Sequence, residues 1–202
     1  MRSIVNQREV GLDTRSYERA LRSVMRAAPD VILVGEIRDR ETMQACINLS
    51  GTGHLVLATL HANNCAETMD RIINMFPRDQ HNQIFLDLSQ YLKAVAAQRL
   101  VFGKDGKRLA AVEVMLVSPL ISDLIFKGEV HEIKEIMKKS RELGMQTFDQ
   151  SLFELYEAGK ISYEDALRNA DSVNDLRLSI KLHGKEAKDR DLAAGIQHLD
   201  IV

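Results

Sequence analysis

Glu36 and His61 are the side chains whose type and position best suit chemistry. Glu36 lies in Asp30-Val-Ile-Leu-Val-Gly-Glu-Ile-Arg-Asp39. Four apolar residues in a row, three of them β-branched, predict a strand buried on both faces, as a parallel sheet requires. Gly35 removes a side chain where that strand ends. Glu36 then stands at the carboxyl end of a parallel strand, the edge at which open α/β sheets bind ligands. A carboxylate there can hold the water shell of a magnesium ion or polarise an attacking water. His61 closes a second apolar run, His54-Leu-Val-Leu-Ala-Thr-Leu-His61, and leads into Ala-Asn-Asn64, while Arg38 and Asp39 lie just past Glu36. A carboxylate, an imidazole and polar amides at one sheet edge suit phosphate chemistry, with the histidine donating to a terminal phosphate. The same residues also read as a buried strand followed by an ordinary solvated turn, and the ten-residue stretch does not choose between the two.

Other chemistries find less support. His54 and His61 are seven positions apart across a strand, and an odd separation puts them on opposite faces, which argues against a shared metal. For His54 the alternative is a strand-entry residue with its ring hydrogen-bonded to backbone. No Ser sits in a Gly-x-Ser-x-Gly turn, and neither Cys46 nor Cys65 has the setting of a nucleophile. The two cysteines form no Cys-x-x-Cys pair and cannot build a four-ligand zinc site alone. The Gly-Lys pairs at 103–104, 106–107, 159–160 and 184–185 are not followed by Ser or Thr. These 202 residues therefore contain no phosphate-cradling Gly-x-x-x-x-Gly-Lys-Ser/Thr loop.

The elements that must position Glu36 and His61 follow from periodicity. Ser3–Val10 suggests a short edge strand. Asp13 is placed to cap a helix with an apolar stripe of Tyr17, Leu21, Val24, Met25 and Ala28, its arginines forming a solvated side, and Pro29 stops it. After the strand at 31–34, Asp39 caps a helix over 40–50, and Gly51-Thr-Gly53 leads to the second strand. Helix, strand, helix, strand is the order of a parallel sheet with crossover helices. A short helix spans 64–75 and a longer one 78–98. Strands 98–102 and 108–117 are joined by Gly103-Lys-Asp-Gly-Lys107 as a hairpin. From Pro119 the pattern is helical, with segments at 119–126, 130–142, 147–157, 161–169 and 173–182, and Gly128, Gly144 and Gly159 at helix ends. A loose tail is expected from His183.

Composition narrows the class. A chain of 202 residues with 45% hydrophobic and 28% charged residues is ordinary for a globular protein. Net charge is −2, there is no Trp and aromatics are 5%, which argues against nucleic acid as a partner. Two isolated thiols fit a reducing compartment. The first residues lack the apolar region of a signal peptide, and no run is long enough to span a bilayer.

Three boxes occur in order: Val5-Asn-Gln-Arg-Glu-Val10, Ala27-Ala-Pro-Asp-Val-Ile-Leu-Val-Gly-Glu-Ile-Arg-Asp39 and Gly51-Thr-Gly-His-Leu-Val-Leu-Ala-Thr-Leu-His61. With them the chain, from about residue 3 to residue 182, resembles the secretion ATPase superfamily, the hexameric motors of type IV pili and type II secretion. Several boxes at plausible spacing are more specific than a lone Walker motif. The resemblance implies an α/β fold, namely the C-terminal part of a RecA-like P-loop NTPase core (1–117), a small helical bundle (118–182) and a flexible tail (183–202). It makes Asp30–Asp39 the Walker B box, with Glu36 as catalytic carboxylate and magnesium holder through water. It makes His54 and His61 the histidine box, with His61 catalytic. Gly35, Arg38, Asp39, His54 and Arg71 are the implied nucleotide contacts. Arg71 could also reach a neighbouring subunit, although its setting in Ala66–Ile73 favours a solvated helix arginine.

Within the superfamily the chain resembles the retraction motors of twitching motility, the PilT/PilU family. Assembly and type II secretion motors usually carry a four-cysteine zinc module, and only two cysteines exist here. Gly144-Met-Gln-Thr-Phe-Asp-Gln-Ser-Leu152 also resembles the retraction branch, and Leu120-Ile-Ser-Asp-Leu-Ile125 favours its PilU side. The implied cofactors are ATP and Mg2+. The implied assembly is a homo-hexamer or a mixed ring with PilT-like subunits, cytoplasmic and peripheral to the inner membrane, docked on a membrane protein of the pilus base. The family's PAS-like domain, Walker A loop and aspartate box precede the matched segment, so the expectation is a C-terminal portion of such a motor. The alternative is a non-catalytic module that binds full-length subunits.

Overall fold

A computed structural model describes residues 4–184. In chain order the elements are α1 (Tyr17–Val24), β1 (Val31–Val34), α2 (Arg40–Gly51), β2 (Leu55–Ala58), α3 (Cys65–Asn74), α4 (His81–Tyr91), β3 (Ala94–Phe102), β4 (Arg108–Leu116), α5 (Pro119–Lys127), α6 (Ile133–Lys139), α7 (Phe148–Glu157), α8 (Tyr163–Asn169) and α9 (Val173–His183). They form two units. Of the described residues, 4–62, 66–93 and 117–133 make the first and 63–65, 94–116 and 134–184 the second. The division differs from a single boundary at 117/118. The hairpin β3–β4 packs with α7, and α5 packs on α4. Residues 185–202, most of the tail expected from His183 and including His198, lie outside the described residues.

In the first unit β1 and β2 pair in parallel, from Val31 opposite Leu55 to Val34 opposite Ala58. The connecting helix α2 starts at Asp39, whose carboxylate accepts from the Thr42 N–H at 2.8 Å, and buries Met43, Cys46, Ile47 and Leu49. Before β1, Ala28 closes the chain's turn in the left-handed region at φ 45°. Ile32 and Val34 are buried, but Val31, Leu33, Leu55 and Leu57 are exposed, so the expectation of strands buried on both faces does not hold. α2 packs against the pair, and among the described residues of this unit nothing covers the face carrying those four side chains.

The start of the chain also differs. Residues 4–9 form no strand, and Val10 makes only an isolated bridge to Thr14. The reason is a tight turn at Gly11, φ 95°, with its N–H donating to Thr14 O. The Asp13 carboxylate accepts from the Glu9 N–H within this turn, and Ser16 caps α1 instead.

The helix expected over 78–98 stops at Tyr91, and Leu92 is extended. Apolar spacing carried the helical pattern through Val95, but residues 94–102 alternate in burial and pair antiparallel with 108–116 along nine positions. A hairpin partner supplies every second backbone group with a bond, which a helix end would leave open. In the first unit α4 buries Ile84 and Leu88. There Phe85 packs so close to Gly128 that a Cβ would sit 3.2 Å from its ring.

The second unit is built on buried polar anchors. Phe148 is fully buried at the start of α7, whose N-terminus carries a capping box of Thr147 and Gln150. Glu113, 3% exposed on β4, accepts from the N–H groups of Cys65 at 2.7 Å and Phe148 at 3.3 Å. Arg99 lies 4.0 Å over the Phe148 ring, donates to the carbonyls of Asn63 and Asn169, and pairs with Asp171 at 2.6 Å. Lys134 meets the other Asp171 oxygen at 2.9 Å, and Asp149 accepts from the N–H groups of Asp171 and Ser172. The helix expected over 130–142 is α6 flanked by single 3-10 turns at Val130–Glu132 and Arg141–Leu143.

Candidate active site

Glu36 leaves β1 two residues after its end and is held by three side-chain contacts. Arg38 grips one carboxylate oxygen, Oε2, with Nε at 2.8 Å and Nη2 at 2.7 Å. His61 Nε2 lies 2.9 Å from the other oxygen, Oε1. The Glu36 side chain is 24% exposed, whereas Arg38 and His61 are 78% and 86% exposed. The Arg38 hydrogen bond is the main force holding the Glu36 carboxyl below the usual range. It outweighs the burial that pushes the other way and is reinforced by the charges of Arg38 and His61. Glu36 is thus anionic at neutral pH. Of the about four lone-pair sites of an ionised carboxylate, Arg38 takes the two on Oε2 and His61 one on Oε1, so Oε1 keeps room for a water.

The backbone that carries this pair is tied across the strand ends. Ile37 N–H donates to Thr59 O at 2.9 Å, and the Thr59 hydroxyl donates to Gly35 O. A shallow cleft of about 250 Å³ opens beside Glu36, lined by Tyr17, Arg38, Asp39 and Thr42. At Gly35 an added Cβ would meet the Tyr17 hydroxyl at 3.5 Å, an ordinary contact, so the space there does not demand glycine.

The structure brings together Glu36, Arg38 and His61, with Gly35 adjoining and Asp39 in the lining of the cleft, whereas His54 and Arg71 make their contacts elsewhere. His54 precedes β2, at its opposite end from His61. A seven-residue extended span is on the order of 20 Å. The His54 Nδ1 atom lies 3.2 Å from Leu49 O and 3.1 Å from the Thr52 hydroxyl, the strand-entry arrangement. The Asp39 carboxylate is engaged in capping α2, and the hydrogen bonds from Thr42 hold its carboxyl below the usual range. Arg71 pairs with Glu67 one turn back on α3, at 3.0 Å. Two residues at the site were not singled out from the sequence. From the sequence, Thr59 is part of the second apolar run and Tyr17 one position of an apolar stripe. A hydroxyl at a strand exit facing a neighbouring strand's last carbonyl is a signal that needs the register to be seen.

The fold agrees with that of known proteins the chain is similar to. Residues 5–105 match the family described as Type II/IV secretion system protein, and the chain belongs to that family. It is 57% identical to the type IV pilus ATPase PilU of Pseudomonas aeruginosa over 98% of its length and 52% of that protein. It is 41% identical to the type IV pilus retraction ATPase PilT of the same organism, over 83% of the chain and 48% of that protein. A crystal structure of the pilus retraction motor PilT with bound ADP superposes with a TM-score of 0.79 at 39% identity, covering 87% of this chain and 49% of that one. The chain has the mixed helix and strand fold of these RecA-like P-loop ATPases and spans about half the length of the relatives it matches.

The residues present fit magnesium and a terminal phosphate in part. Magnesium takes one or two carboxylates, several waters and phosphate oxygens rather than an all-protein cage. One partly exposed anionic carboxylate suits that, and the described residues hold no group of three metal-ligating side chains. The backbone cradle for the remaining phosphates is not supplied by any Gly-Lys in these 202 residues.

Proposed function

We propose that these residues are the Walker B and histidine-box portion of a pilus retraction motor, an ATPase of twitching motility. The observation that carries the reading is the Glu36 carboxylate held between Arg38 and His61 at the exit of a parallel strand pair. Bound ATP with Mg2+ supplies the phosphoryl group and the neutralising charge. Glu36 orients the magnesium water shell and the attacking water, with Arg38 fixing one of its oxygens. His61 has Nε2 committed to Glu36, which leaves Nδ1 for a phosphate oxygen. Nδ1 donates only in the imidazolium form, so a phosphate read through it is coupled to the charge on the ring. The phosphate cradle comes from a segment outside these 202 residues. The working assembly is a homo-hexamer or a ring mixed with PilT-like subunits, cytoplasmic and peripheral to the inner membrane at the pilus base. Among the described residues no helix is long and apolar enough to cross a membrane.

A second reading is a non-catalytic module that packs on full-length subunits, favoured by the missing phosphate loop. Magnesium-dependent phosphate release separates the two. The 202-residue chain alone is expected to release no more phosphate than its Glu36→Gln variant, and joined to a segment carrying Gly-x-x-x-x-Gly-Lys-Ser/Thr it is expected to turn over. Equal rates for the joined protein and its Glu36→Gln variant would remove Glu36 from the chemistry.

A further inference from the structure

Thr59 is exposed just past the end of β2, and two of its polar groups serve the other strand. Its hydroxyl donates to the carbonyl of Gly35, and its own carbonyl accepts from the N–H of Ile37 at 2.9 Å. These two bonds fall on either side of residue 36. The β1–β2 ladder ends at Val34 opposite Ala58, so without them the backbone of Glu36 would leave the sheet with nothing to fix its direction. Two residues further on, His61 reaches the carboxylate of that same Glu36. One short strand exit thus holds Glu36 twice, by backbone through Thr59 and by side chain through His61. Arg38 grips only Oε2, is itself 78% exposed, and makes no bond that would aim Oε1.

We propose that Thr59 is a positioning residue for the Glu36–His61 pair, bracketing the Glu36 peptide so that its carboxylate meets the imidazole. The proposal deepens the reading of Glu36 and His61 as the working pair and rests on it, but its test needs no nucleotide and no turnover. The probe is the His61 ring Cε1–H cross-peak in proton–carbon NMR of the full 202-residue chain at one fixed pH. The Glu36→Ala variant gives the position of that peak when the contact is lost. Thr59→Val keeps the β-branched shape and removes the hydroxyl. It is expected to move the His61 peak at least halfway to the Glu36→Ala position and to speed exchange of the Ile37 amide. The Ile32 to Val34 amides are expected to be unchanged. Thr59→Ser is expected to restore both readouts. Where Thr59→Val perturbs the strands themselves, Thr59→Ala provides the second hydroxyl-free variant. A His61 peak unmoved in both hydroxyl-free variants, or moved as far in Thr59→Ser as in Thr59→Val, overturns the proposal. Because the readout is the contact itself, a chain that never hydrolyses ATP leaves the outcome intact.

Discussion

Glu36 and Glu113 are both carboxylates with two committed oxygens, one in each unit, yet they are held in opposite ways. Glu36 accepts from the side chains of Arg38 and His61, two partners that are mostly exposed. Glu113 is 3% exposed and accepts from two backbone N–H groups, those of Cys65 and Phe148. Side-chain donors on long or rotatable stems can leave and be replaced by a water, an ion or a phosphate. Backbone donors fixed by a helix start cannot. The difference separates a carboxylate available for exchange from one that fastens elements together.

The sharpest way to break this comparison is to remove each carboxylate in turn. Glu113→Ala leaves two buried N–H groups without an acceptor, and each such loss costs about 1–3 kcal/mol. The expected result is a fall of about 3 kcal/mol in urea-unfolding stability, with hydrogen exchange rising throughout β4 and the start of α7. Glu36→Ala is expected to leave the urea midpoint where it was, since its partners are already solvated. A Glu36→Ala midpoint that falls as far as that of Glu113→Ala would erase the distinction.

A smaller effect sharpens it through pH. Burial pushes the Asp171 carboxyl up, but its hydrogen bonds and charge pairing with Lys134 and Arg99 outweigh burial and hold it below the usual range. A carboxyl with a lowered folded value stabilises the fold above its unfolded value, near pH 4, and loses that contribution as pH falls through the folded value. Asp149 has the opposite sign. Burial raises it, so it favours the folded state in acid and that advantage fades as pH rises. Asp171→Asn is expected to narrow the gap between urea midpoints at pH 7 and pH 3, and Asp149→Asn to widen it. Chemical denaturation at the two pH values checks both.

The smallest effect uses the two thiols, one per unit. Burial pushes Cys46 up to about 11 and also raises Cys65, where the nearby Glu113 charge adds to it. Both are 5% exposed or less. At pH 8 the thiolate fraction of Cys46 is about one in a thousand. Neither thiol is expected to be alkylated over an hour in the native chain. In low urea Cys46 is expected to react before Cys65, because its unit leaves one sheet face open. Mass spectrometry of the labelled peptides gives the order.

Much of this was legible in the sequence where one segment carries its own signal. Val31–Val34, the helix capped by Asp39, the Asp105-Gly106 turn and the positive φ of Gly128, Gly144 and Gly159 follow from local residue chemistry. Glu36 and His61 stand out in the sequence because each follows an apolar run, and the structure puts their side chains 2.9 Å apart. What was not legible depends on register between segments. Val95 fits a helical stripe equally well, and only pairing with Met115 makes it part of a strand. Thr59 is marked only by its bonds to Gly35 and Ile37 across the strand exit. Glu113 looks like any charged residue in a hairpin until its two buried donors are in place. His54 and Arg71 matched motif positions, but their hydrogen bonds lie at the far end of a strand and along a helix turn.

Val31, Leu33, Leu55 and Leu57 form a contiguous oily surface on the β1–β2 pair. Surfaces of this kind are what chaperones and quality-control proteases grip. A polypeptide that carries such a surface is more prone to association and degradation while the face is uncovered.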